Sequence, residues 1–184
     1  MNKLVIIING KGGVGKDTMC EFAAKHYRVR NISSVTPIKE IAAKYGGWKG
    51  QKDAKSRKFL ADLKQLFVDY NNLPFVYQCR QYEEFMKSEE EILFVHIREG
   101  KEIDQLKNWV PTACVTLLVE RDPEEKMDWG NASDDQVKEY RYDYVYHNVK
   151  PLEEAEKDFC EFLKNILERT DEYGHNTYHF DCNL

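Results

Sequence analysis

The 184-residue sequence has no apolar stretch long enough to cross a bilayer. Its Met-Asn-Lys start leads straight into an apolar run, with no leader-like segment before it. The expectation is a chain that neither spans a membrane nor acts at one. No Cys-x-x-Cys pair occurs. Cys20, Cys79, Cys114, Cys160 and Cys182 are scattered and odd in number. That argues against a disulfide framework and for reduced thiols in the cytoplasm. Excess basic charge is missing too: the formal net charge is −5, so bulk electrostatics do not select nucleic acid as a partner. There is no internal repeat and no low-complexity tract. The length suits one domain with a sizeable core, as a monomer or homodimer.

What the chain does have is concentrated in residues 4–18. Leu4-Val5-Ile6-Ile7-Ile8 is continuously apolar and rich in β-branched residues, the signature of a buried parallel strand. After Asn9 comes Gly10-Lys11-Gly12-Gly13-Val14-Gly15-Lys16-Asp17-Thr18. A glycine, four residues, then glycine-lysine is the pattern of a phosphate-binding loop. Glycines let backbone N–H groups curl around a polyphosphate without Cβ clashes. The helix after it directs its N-terminal dipole at the same anion. Met19, Phe22, Ala23, His26 and Tyr27 recur at helical spacing and predict that helix. The predicted phosphate-binding residues are Gly12, Gly13, Val14, Gly15, Lys16, Asp17 and Thr18, with Lys16 as a mobile charge for the transferring phosphates.

One residue departs from the usual pattern. Ser or Thr normally comes after the lysine and offers its hydroxyl to Mg²⁺. Here Asp17 stands there and Thr18 comes next. A carboxylate can hold Mg²⁺ directly or through water, but without the metal it repels phosphates. The expectation is strict Mg²⁺ dependence with Asp17 as the candidate metal ligand. Whether Asp17 or Thr18 lies nearer the ion stays open.

Further along, Val29–Val35 reads as a second strand. Thr36-Pro37 opens a helix with Ile38, Ile41, Ala42 and Tyr45 on one face, closed by Gly46-Gly47. Residues 49–64 are locally basic, with Lys49, Lys52, Lys55, Arg57, Lys58 and Lys64. A solvated helix face and a phosphate-acceptor surface are the two readings. Phe59, Leu60, Leu63, Leu66, Phe67 and Tyr70 are expected as the buried stripe of this helix, and Phe75, Cys79, Tyr82 and Met86 as that of the next. Ile92–Ile97 is a clear strand that stops at Arg98-Glu99. Ligands bind at the carboxyl ends of parallel strands, which places Arg98 to touch a phosphate; the alternative is a surface arginine paired with Glu99 or Glu102. His96 reads as a satisfied histidine and not as a base.

Ile103, Leu106 and Trp109 mark another helix face. A strand over Ala113–Val119 leads to Arg121, and Tyr142–Tyr146 is a short last strand. Leu152, Ala155, Phe159, Phe162, Leu163 and Ile166 mark the closing helix. His175, His179 and Cys182 have metal-ligand chemistry, but the polar segment from Thr170 reads as a frayed terminus. Five strands alternating with helices predict an α/β fold with a five-stranded parallel sheet covered on both faces.

Several of these segments, in this order, resemble the P-loop nucleoside-phosphate kinases, in particular the deoxynucleoside monophosphate kinase-like group. They are Gly-Lys-Asp-Thr at 15–18, Ser34–Ala42, the Lys52–Leu60 stretch with Arg57, Val95–Glu99, and Tyr142–Asn148 with Leu152-Glu153-Glu154 after it. The resemblance covers about residues 1–167. It implies the three-layer P-loop NTPase fold, with one kinase domain over 1–169, an acceptor-binding insertion at about 37–90, a short lid at about 121–139 and a polar tail at 170–184. It implies phosphoryl transfer from ATP, with Mg²⁺, to a nucleoside monophosphate. By position it makes Lys16, Arg98 and Arg121 catalytic and Lys39, Arg57 and Arg98 acceptor-binding. Lid basic residues are few: Lys126, Lys138 and Arg141.

Two alternatives accompany this reading. Lys11–Lys16 also matches the loop of partitioning-type ATPase switches that act on a macromolecular partner, although the residue after Lys16 would there be Thr. Alternatively, a kinase of the same fold could serve another small acceptor, such as dephospho-coenzyme A or phosphomevalonate.

Overall fold

The structure is a computed structural model that describes residues 3–121, 137 and 139–174, with 171–174 described by backbone alone. Its centre is the apolar run seen in the sequence. Strand β1 (Leu4–Asn9) is buried at every residue. It pairs in parallel with β3 (Ile92–His96) on one side and β4 (Cys114–Glu120) on the other. Outside these lie β2 (Val29–Ser33) and β5 (Tyr144–His147), giving the order β2-β3-β1-β4-β5 with every pair parallel. A strand needs strong apolar character on both faces only when both are covered and both edges are paired. The edge strands β2 and β5 are accordingly mixed in composition and only partly buried.

Strand side chains alternate between two helical layers. Leu4, Ile6, Ile8, Phe94, Leu117 and Val119 pack with residues of α1 (Lys16–Ala24) and α6 (Leu152–Gly174). Val5, Ile7, Leu93 and Val95 pack with Tyr82 and Phe85 of α4 (Leu73–Lys87) and with Ile103 and Leu106 of α5 (Gly100–Trp109). The expected parallel sheet with helices on both faces is present. Among the described residues no helix is long and apolar enough to cross a membrane.

Two further helices, α2 (Thr36–Gly46) and α3 (Ala54–Asn71), stand between β2 and α4. Here the structure corrects the sequence reading. The stripe Phe59, Leu60, Leu63, Leu66, Phe67 and Tyr70 is not buried: α3 has no buried residue, and Leu66 and Tyr70 are 62% and 81% exposed. The reason is that α3 packs chiefly against two other helices, α2 and α4. Two narrow helix contacts cannot cover a full apolar stripe. On α4 the buried face is Pro74, Gln78, Tyr82 and Phe85, so Cys79 and Met86 lie off it. That face keeps the helical repeat and shares Tyr82 with the expected series, its other members lying one residue earlier.

Smaller corrections share a cause, the end of an element or of its contact. Helix α1 stops at Ala24, which leaves His26 exposed. Tyr45, Trp109 and Leu152 lie at helix ends beyond the sheet and are exposed. Trp109 still meets Phe75 and Tyr82 edge-on. Strand β2 ends at Ser33, two residues short of Val35.

Candidate active site at the carboxyl edge of the sheet

In the register, Ile8 lies beside His96 and Asn9 beside Leu118. Strands β1, β3 and β4 therefore end close together, and their exit segments gather at one edge. After β1 comes the glycine loop. After β3 come Ile97 and Arg98, and after β4 comes Arg121. In open parallel sheets this edge is where ligands bind.

The glycine loop has the backbone its glycines allow. Gly10 has φ 145°, and a Cβ there would come within 2.3 Å of the Val119 carbonyl oxygen. Gly15 caps α1 in the left-handed region at φ 96°, with no side chain capping the helix. A Cβ on Gly15 would sit 2.6 Å from Asn148 Nδ2, which itself donates to the Val14 carbonyl. The cap residue thus offers no side-chain acceptor to the first-turn N–H groups of α1, which suit an anion. Lys16 Nζ donates to the carbonyls of Gly10 (2.6 Å) and Lys11 (2.8 Å), which hold its ammonium at the loop.

Around this loop the structure brings several of the expected residues together. Asp17, on the first turn of α1, is 89% exposed, and its carboxylate lies 3.8 Å from His96 Nε2. Thr18, beside it, is half-buried. Burial lowers the His96 pKa to about 4; Asp17 opposes the shift, and the charges of Lys16 and Lys39 add to it. Lys39 on α2 and the loop lysine thus both act on His96. A neutral His96 uses Nε2–H to donate to Asn31 Oδ1 at 2.9 Å, so its geometry is that of a satisfied histidine. The donor set of Asp17 and Thr18 is all oxygen, which fits Mg²⁺. Among the described residues no group of three or more His, Cys, Asp or Glu side chains forms a ready-made metal cage. A magnesium ion bound mainly through phosphates needs none.

Arg98 and Arg121 are exposed at the ends of the two strands that flank β1. Glu99 and Glu102, the arginine partners considered in the sequence, have another cation beside them. Both are engaged by Lys64 of α3, at 2.6 and 2.7 Å. Lys64 is only 15% exposed, so it leaves the set of basic residues available to a phosphate. Burial alone would raise the Glu99 pKa, but the Lys64 hydrogen bond and charge hold it low. For Glu102, burial outweighs Lys64, and repulsion from Glu99 adds to it, pushing the pKa up to about 7. Glu102 Oε2 is buried and faces no donor. This cluster pins α3 beside the start of α5. Arg57 lies seven residues before Lys64, hence two turns away on the same face of α3, roughly 10 Å along the axis.

Sequence reasoning missed three positioning residues. Asn9 and Asn148 tie the loop to β3 and β5, and Lys64 ties α3 to the core. The available signal for Asn9 was a polar residue closing a fully buried strand. Lys126, Lys138, His175, His179 and Cys182, and the lid between Arg121 and Val137, lie outside the described residues.

No protein-family model matches the chain, and no curated protein matches it. Solved structures do. One is a putative kinase from Chloroflexus aurantiacus, with TM-score 0.54, 12% identity, and 90% of this chain aligned to 98% of that one. A dephospho-CoA kinase from Campylobacter jejuni has TM-score 0.54, 13% identity, and the same coverage of 90% and 98%. A sugar kinase from a Janibacter species has TM-score 0.51, 11% identity, and coverage of 89% and 95%. At such identities the likeness is one of fold. With the strand order and the glycine loop at the end of β1, the chain has the three-layer P-loop NTPase fold.

Proposed function

We propose that this protein is an ATP- and Mg²⁺-dependent kinase of nucleoside monophosphates, deoxynucleoside monophosphates foremost. The observation that carries the reading is the pairing of two cationic groups across one sheet edge. Lys16 stands in the loop after β1, and Arg98 stands after the adjacent strand β3, with the basic helix α3 docked beside it. Phosphoryl transfer needs positive charge and in-line alignment more than covalent help. The loop N–H groups and Lys16 would hold the donor phosphates, with Asp17 or Thr18 toward the metal. Arg98, Arg57 and Lys39 would hold the acceptor phosphate. Arg121 would clamp the transferring group. The scattered cysteines fit a cytoplasmic enzyme.

The test is a coupled assay with Mg²⁺–ATP across all ribo- and deoxyribonucleoside monophosphates, with dephospho-coenzyme A and phosphomevalonate included. Turnover with a nucleoside monophosphate is expected. Turnover with only one of the two other acceptors would move the assignment to that acceptor. ATP hydrolysis stimulated only by a protein, DNA or a lipid surface would replace it with the switch reading.

A further inference from the structure

One buried side chain at this site joins the glycine loop, the Arg98 turn and the segment before β5. Asn9, the last residue of β1, is 1% exposed. Its Oδ1 accepts from the Gly10 N–H at 2.8 Å, at the start of the glycine loop. Its Nδ2 donates to the Arg98 carbonyl at 3.0 Å and to the Tyr142 hydroxyl at 2.7 Å. The amide has one orientation only. Turned over, it would set an N–H against the Gly10 N–H and an oxygen against the Arg98 carbonyl. Tyr142 in turn donates its hydroxyl proton to the Val137 carbonyl at 3.0 Å. Its ring meets Tyr140 edge-on, and Tyr140 lies against Gly100 at the start of α5 and bonds Asp104. The segment that returns to β5 is thus fastened over the Arg98 turn.

We infer that Asn9 and Tyr142 are positioning residues that fix the Arg98 strand end relative to the phosphate loop, and so set the alignment of donor and acceptor. The inference rests on the kinase reading for its catalytic consequence. Its structural content, coupling between the loop and the Arg98 turn, stands apart from that reading. A buried polar side chain with three satisfied bonds is a rigid spacer, and in-line transfer is sensitive to displacements of about 1 Å. Tyr142→Phe keeps the ring packing and removes the bonds to Asn9 and Val137. Asn9→Asp keeps the shape and turns the Nδ2 donor into an acceptor facing the Arg98 carbonyl.

The experiment has two arms on the full chain. The first is steady-state kinetics with the acceptor that the coupled assay identifies, together with equilibrium ATP binding and thermal melting. Tyr142→Phe is expected to lower kcat by about tenfold, with the acceptor KM and the ATP Kd within about threefold of wild type. Asn9→Asp is expected to lower kcat further. The second arm measures hydrogen–deuterium exchange without catalysis. Mg²⁺–ATP added to wild type should slow exchange in the glycine loop and in residues 97–100. In Tyr142→Phe the loop should still respond, and residues 97–100 should not. An unchanged kcat in a normally folded Tyr142→Phe, or a kcat loss matched by equal losses in ATP and acceptor binding, would overturn the inference. If wild type phosphorylates no acceptor, the kinase reading fails, and the exchange arm alone decides the coupling: an identical response of residues 97–100 in wild type and variant would overturn it.

Discussion

Removing the charge of Lys64 should expose what holds the acceptor-side helix in place. In Lys64→Met the aliphatic stem is kept and the ammonium is lost. Glu99 and Glu102 are then left together without their shared cation, 2.6 and 2.7 Å from where it stood. Breaking a buried ion pair by removing one partner costs about 3–5 kcal/mol. Here Glu102 already favours its protonated form, pushed up to about 7, so part of the cost is relieved by proton uptake. The expected loss is roughly 2–3 kcal/mol at pH 8.5, below the full value for a broken buried pair.

Linkage gives the sign of the pH dependence. Without Lys64 the Glu102 carboxyl rises further above its unfolded value and Glu99 is no longer held low, so the variant's folded state binds more protons than wild type and loses stability faster as pH rises. The loss should therefore shrink toward pH 5.5, where protonated carboxyls need no cation. Denaturant unfolding across pH 5.5–8.5 measures it, and exchange of the α3 amides locates it. Glu102→Gln is the control. In wild type, Glu102 keeps its proton on folding between its unfolded value near 4.5 and about 7, so through that window this group makes stability fall as pH rises. The glutamine removes that slope. A Lys64→Met loss under about 1 kcal/mol, the scale of an exposed ion pair, or one that does not vary with pH, would refute the account of a half-buried triad.

Three further outcomes are expected at the site itself. Lys16→Ala should leave the melting temperature near wild type and lower turnover by at least about 100-fold, because the charge is used mostly in the transition state; near-normal activity in a folded variant would sink the kinase assignment. Asp17→Ala should raise the Mg²⁺ concentration for half-maximal activity, and an unchanged magnesium titration would remove Asp17 as a direct or water-mediated ligand. Arg57→Ala and Arg98→Ala should each cost on the order of 2–4 kcal/mol in kcat/KM for the acceptor and leave ATP affinity nearly unchanged, with lysine restoring little because it lacks the fork; weak ATP binding with a normal acceptor KM would move the acceptor site elsewhere.

The sequence by itself determined the sheet and the loop. A continuous apolar run, a glycine-rich turn and an amphipathic helix constrain one another locally. No distant partner was needed to read β1, or Met19, Phe22 and Ala23 on the buried face of α1. The apolar runs of β3 and β4 were equally legible, because a strand buried on both faces must be apolar throughout. Only the tertiary structure decided which helices the sheet would cover. Helix α3 has the same apolar spacing as a core helix, yet no residue of it is buried. Spacing records which residues share a face, not whether a sheet lies opposite. The same holds for charge. Lys64 and Arg57 read alike as members of one basic run, and it is the fold that sets Glu99 and Glu102, thirty-five and thirty-eight positions further on, against Lys64. Asn9 is the extreme case: its three partners come from residues 10, 98 and 142. Polar contacts of that range are set by strand register and chain return, which local pattern does not encode.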